Sequence, residues 1–159
     1  MTGWRSGLFG LVLAGLVLGQ NLVIAADGVD DFTAPVYAVV VDKAFDDIVE
    51  DLQVSIGGHN FRLTEQARIG DAIAEREGRP FLRVTVLHFC NLELARRLLA
   101  LKPSFSLRMP CRISVRETAD GKVQIETLLL PEADGEAALD ALAAEVNALL
   151  RDIVNEGVL

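Results

Sequence analysis

The chain has 159 residues, enough for one domain with its own core and short for two. It carries 23 Asp plus Glu against 15 Lys plus Arg, a net charge of −8. Such a surface repels nucleic acid and anionic lipid, which excludes a general nucleic-acid binder; otherwise the acidity serves solubility.

Residues 1–26 read as a secretory signal peptide. Arg5 supplies a short positive region, residues 8–18 (LFGLVLAGLVL) form an uncharged apolar run, and Ala25 and Ala26 offer small residues for cleavage. The alternative is a retained membrane anchor. Residues 8–26 are about as long as the minimum membrane span, although Gln20 and Asn21 interrupt them. Cleavage removes Arg5 and no acid, which leaves 14 Lys plus Arg against 23 Asp plus Glu and a net charge of −9. The address is then periplasmic or secreted, with no stable membrane span. Residues 27–35 form a polar tail, and residues 36–159 form a single domain.

Within the domain, VYAVVV (residues 36–41) is β-rich and apolar, a central or half-buried strand. Asp42 is positioned to cap a helix in which Phe45, Ile48, Leu52 and Ile56 fall on one face. Gly57 and Gly58 are expected to end it in the left-handed conformation. HNFRLTEQ (59–66) alternates as a second strand, and residues 69–77 form a short helix closed by Gly78 and Pro80. FLRVTVLHF (81–89) is the strongest strand signal; Leu82, Val84, Val86 and His88 face one way and Phe81, Arg83, Thr85, Leu87 and Phe89 the other. Asn91 is a good N-cap for LELARRLLAL, and Pro103 stops that helix. CRISVRE (111–117) and KVQIETLLL (122–130) flank Ala119-Asp120-Gly121, a hairpin signal. A last helix is capped by Asp134 and carries Leu139, Leu142, Val146, Leu149 and Ile153 at helical spacing. The order β-α-β-α-β-α-β-β-α with a terminal hairpin predicts an α+β fold: one mixed or antiparallel sheet of about five strands with helices on one face.

The strand into Phe89-Cys90-Asn91-Leu92, then Leu98-Leu99, then Leu107-Arg108-Met109-Pro110-Cys111-Arg112-Ile113, then Ala119-Asp120-Gly121, resembles the domain-of-unknown-function family 302. Its members carry an apolar strand into Phe-Gly-Asn-Pro, a Leu-Met in the next helix, a Leu-Pro-Leu-Arg lead into the following strand and an Asp-Gly hairpin. The resemblance covers roughly residues 32–131, extends to the terminal helix, and rests on short motifs in a fixed order. It implies a small α+β domain that dimerises, and it implies no established chemistry. Three positions depart from the pattern: Cys90 stands for the glycine, Leu92 for the proline, and Cys111 follows Met109-Pro110.

Cys90 and Cys111 are the only cysteines. An exported protein meets an oxidising compartment, where two cysteines usually pair. The 20 residues between them would close a loop worth about 3 kcal/mol. The Cα atoms must come within about 7 Å, and residues 102–110, extended over about 30 Å, can bring Cys111 back to Cys90. The alternatives are a labile redox pair, which lacks a Cys-x-x-Cys, and two buried unpaired thiols. His88, Cys90, Met109 and Cys111, with His59 in addition, would suit a soft metal or haem iron, although no recognised metal spacing is present. No cofactor remains the plainer expectation.

Arg108 and Arg112, near Arg96 and Arg97, are the one concentrated basic region; they read as surface solubility or as an anion pocket for a small oxyanion or carboxylate, helped by the helix after Asn91. Asp42, Asp46, Asp47, Glu50 and Asp51 read as a solvated helix face with favourable dipole charge. No serine elbow, glycine-rich phosphate loop or zinc-hydrolase motif is present. The reading is therefore a binding domain without classical catalysis, for a small anionic ligand or a protein partner, with Asn91, Arg108, Met109 and Arg112 at the ligand. Thiol redox or metal and haem binding through Cys90, Cys111 and His88 is the alternative. The cleft of interest lies between the Phe89-Cys90-Asn91 corner and the Met109-Pro110-Cys111-Arg112 corner.

Overall fold

A computed structural model describes residues 35–132 and 135–159. The expected signal peptide, most of the expected tail and the Asp134 cap lie outside these residues. The elements are β1 (Val36–Val41), α1 (Phe45–Gly58), β2 (Arg62–Ala67), α2 (Ile69–Glu77), β3 (Val84–Cys90), α3 (Leu92–Leu101), a 3-10 helix (Pro103–Arg108), β4 (Cys111–Glu117), β5 (Val123–Leu128) and α4 (Ala137–Gly157). The strands form one sheet in the order β1-β5-β4-β3-β2, and every neighbouring pair is antiparallel. The fold is α+β, as the order of elements predicts.

Period-two alternation decides which face is buried. In β3, Thr85, Leu87 and Phe89 point into the core while Val84, Val86 and His88 are half-buried on the other face. Ile113 and Val115 of β4 and Val123 and Ile125 of β5 continue the inner face. Ile48, Leu52 and Ile56 of α1, four residues apart, present one apolar stripe, as do Leu139, Leu142, Val146, Leu150 and Ile153 of α4. Each of these side chains contributes about 1.5–3 kcal/mol of burial. α1 and α4 pack together over the sheet with α3 beside α4. α2 buries only Gly70, which presses on the start of β3.

Some local expectations change. The N-cap of α1 is Ala44, and no side chain caps it, so Asp42 does not serve there. Gly57 and Gly58 lie inside the helix; the left-handed residue is Asn60, at φ 61°. Asparagine tolerates that region because its short polar side chain bonds locally. The buried stripe of α4 uses Leu150, with Leu149 only half-buried, and its N-cap is Glu136.

No helix among the described residues is long and apolar enough to cross a membrane.

Candidate functional site

The chain leaves β3 at Cys90, runs through α3 and the 3-10 helix, and returns as β4 at Cys111. Because β3 and β4 are antiparallel, the end of one and the start of the other lie side by side, and Phe89 stands opposite Cys111. This excursion builds a cleft. Its helical wall is Leu94, Ala95 and Leu98 of α3; Phe105, Arg108 and Met109 close a second side; Cys90, Asn91 and Cys111 form the strand edge. Phe61, Leu130 and Val146 form the floor. The free space is about 20 Å³, room for about one water-sized group.

Asn91 fixes the corner. Its Oδ1 accepts from the backbone N–H of Glu93 at 3.0 Å and of Leu94 at 3.1 Å, which satisfies two otherwise unpaired donors of α3. Its Nδ2 donates to the Asn60 carbonyl at 3.0 Å, tying the α1–β2 turn to the same point. Across the cleft, Pro103 begins the 3-10 helix, Phe105 is buried, and a cis Met109–Pro110 peptide bond leads into β4. The floor is held by Asn147, which is 1% exposed. Its Oδ1 accepts from Leu130 N–H at 2.7 Å and its Nδ2 donates to Leu130 C=O at 2.9 Å and to Glu132 at 2.6 Å.

The two cysteines are both free and are not at disulfide distance, which corrects the expected bond. The register gives the reason. Cys111 faces Phe89, so Cys90 lies one residue beyond that pair, and successive strand residues point to opposite faces. Both nevertheless line the cleft, because Cys90 is the last residue of its strand, where the backbone turns into α3. Burial pushes the Cys111 thiol up to about 11, helped by the neighbouring Cys90. Burial raises the Cys90 thiol as well.

Of the expected ligand residues, Asn91, Arg108 and Met109 line this cleft. Arg112 joins Arg108 at an adjoining recess beside Leu128, Leu129 and Leu130. Both arginines are already engaged by other groups. Arg96 is held by Glu93 at 2.6 Å and Arg97 by Glu145 at 2.9 Å, so neither turns toward a ligand. His88 does not join the sulfurs: it sits on the outer face of the sheet between Glu65 of β2 and Arg112 of β4. His59 is bonded to Glu156 at 2.9 Å, between α1 and α4. Among the described residues no three His, Cys, Asp or Glu side chains gather as a metal site. Two acids of the run at α1 are paired, Asp51 with Lys43 at 2.7 Å and Asp46 with Arg83, whose guanidinium holds the Asp46 carboxyl low. Arg83 also lies 4.2 Å over the Phe45 ring.

The floor residues Phe61, Leu130 and Val146, and the latch Asn147, carry no signal as site residues. A polar residue beside the apolar stripe of α4 was the one available hint, since a buried asparagine must find partners.

A family described as "Domain of unknown function DUF302" matches residues 37–157. An uncharacterized protein of Aquifex aeolicus (strain VF5) is 25% identical over 127 residues, covering 80% of this chain and 74% of that protein. The crystal structure of an uncharacterized conserved DUF302 protein from Bacillus stearothermophilus superposes with a TM-score of 0.67 at 22% identity, over 76% of this chain and 96% of its own. At that identity the superposition speaks for the shared fold.

Proposed function

This chain belongs to the DUF302 family, and from that premise we propose that it is an exported binding domain whose ligand seats in the cleft between Cys90-Asn91 and Arg108-Met109. The observation that carries this is the construction of the cleft. It is apolar, it lies where β3 ends and β4 begins, and its corner and floor are each pinned by an asparagine. Rigid apolar concavities with a few placed polar groups are what small-ligand sites look like. The free space of about 20 Å³ limits the occupant to one small group or ion inserted into the cleft. A periplasmic or secreted address follows from reading residues 1–26 as a signal peptide.

Thiol–disulfide exchange fits this cleft poorly. With the Cys111 thiol near 11, only about one molecule in ten thousand carries the thiolate at pH 7. The separation of the two cysteines also denies them a ready disulfide.

The test is a nitrogen-15 NMR titration of the purified protein with acetate, butyrate, methanethiol and silver(I), each alone. At least one probe should move the amides of Cys90, Asn91, Leu94 and Met109 together, and Ala95→Leu, which fills the cleft, should abolish those shifts. If no probe moves these amides, the binding reading falls.

A further inference from the structure

Three side chains around this cleft carry sulfur: Cys90, Met109 and Cys111. They come from three different local structures, the end of β3, the cap of the 3-10 helix and the start of β4. The antiparallel register brings them to one cavity of about 20 Å³. That space suits a single ion. The other lining residues decide which kind. No carboxylate and no imidazole lines the cavity, so it offers nothing to a calcium or magnesium ion, which need several oxygen ligands. Thiolate and thioether donors instead select soft, low-coordinate cations, copper(I) above all.

We propose that the cleft is a site for one soft monovalent cation of the copper(I) type, held by the sulfurs of Cys90 and Cys111 with Met109 as the third donor. This rests on the reading of the cleft as a binding site and names its occupant. Copper(I) enters as a cation, two S–H bonds break, two copper–thiolate bonds form, and two protons leave to solvent. No electron is transferred. The filled site carries one net negative charge. The spacing serves the same end, because two thiols that are not at disulfide distance stay available to a metal. The apolar walls of Leu94, Leu98 and Phe105 exclude the water that would otherwise compete for the ion.

The experiment is an anaerobic competition for copper(I) between the purified protein and the chromophoric chelator bicinchoninate. One equivalent should leave the chelator, and in weakly buffered solution two protons should appear per ion. Cys90→Ser and Cys111→Ser should each weaken binding on the order of 100-fold, and Met109→Leu about tenfold, while His88→Ala leaves it unchanged. In the unsubstituted protein, copper(I) should protect both cysteines from alkylation at an alkaline pH and reaction time at which the metal-free protein labels at both, read by peptide mass. This arm needs no variant to fold. Failure to compete with the chelator, binding that survives the double cysteine substitution, or protection of one thiol alone overturns the proposal. If copper(I) fails while an organic probe still moves the cleft amides, the cation is wrong and the binding reading stands; if neither acts, both fall.

Discussion

Asn147→Ala tests the claim that a single buried amide holds the floor of the cleft. The wild-type side chain makes three hydrogen bonds, two with the backbone of Leu130 and one with Glu132. Alanine removes all three partners. The N–H and C=O of Leu130, a residue only 7% exposed, are then left in a place that water reaches poorly. Each unsatisfied buried backbone group costs about 1–3 kcal/mol, so the loss should be about 3–5 kcal/mol. That is a large part of a typical domain stability of about 5–15 kcal/mol. Asn147→Asp separates the bonds from the packing. It keeps the acceptor for Leu130 N–H, but sets an ionised carboxylate against the Leu130 carbonyl and the Glu132 carboxylate. The introduced carboxyl should therefore have a raised pKa in the folded state. Its stability is then full below the unfolded value of about 3.9 and declines as pH rises through the folded one. Urea denaturation at pH 4 and pH 7, with the slope checked for two-state behaviour, measures both variants. Asn147→Asp should sit well above Asn147→Ala at pH 4 and fall toward it at pH 7. A loss under about 1 kcal/mol for Asn147→Ala would show that water replaces the latch, and the account of the floor would be refuted.

Other perturbations probe the same fold at separate points. Burial holds the Cys111 thiol near 11 against an ordinary 9.0, so the folded state binds its proton more tightly than the unfolded chain. The stability this contributes is full below pH 9.0 and disappears as pH rises to about 11, a loss of roughly 2–3 kcal/mol that Cys111→Ala should not show; parallel pH curves for the two proteins would contradict it. A Cβ on Gly70 would stand 2.5 Å from the backbone nitrogen of Val84, so Gly70→Ala should lift α2 from β3 and cost about 2–3 kcal/mol, with faster hydrogen exchange at Val84. Gly57→Ala meets open space inside α1 and should stabilise by about 0.5–1 kcal/mol; a loss there would mean the glycine does end the helix after all. Asn91→Ala should cost about 1–2 kcal/mol, whereas Asn91→Asp keeps both cap bonds and loses only the donation to Asn60, so equal losses in thermal melts would deny the capping role.

Much of this was legible in the sequence because it is local. The alternation of β3, the four-residue stripe of α1, the bounds of α2 and the Asn91 cap each depend on residues within a few positions of one another, where propensity and periodicity act directly. The family resemblance likewise rested on short motifs in sequence order, and it held over residues 37–157. The local readings that failed did so where neighbours further off intervened. Gly57 and Gly58 were carried into the helix once Asn60 could take the left-handed turn and lend its carbonyl to Asn91. What the tertiary structure alone decided was which distant residues meet. Cys90 and Cys111 share a cleft because β3 and β4 run antiparallel with Phe89 opposite Cys111, and the same register keeps them from bonding. His88 left the sulfurs for the outer face, and Leu130, Val146 and Asn147 arrived beneath them from the far end of the chain. Strand pairing is set by contacts between segments tens of residues apart, and a shift of one residue would turn every side chain to the opposite face.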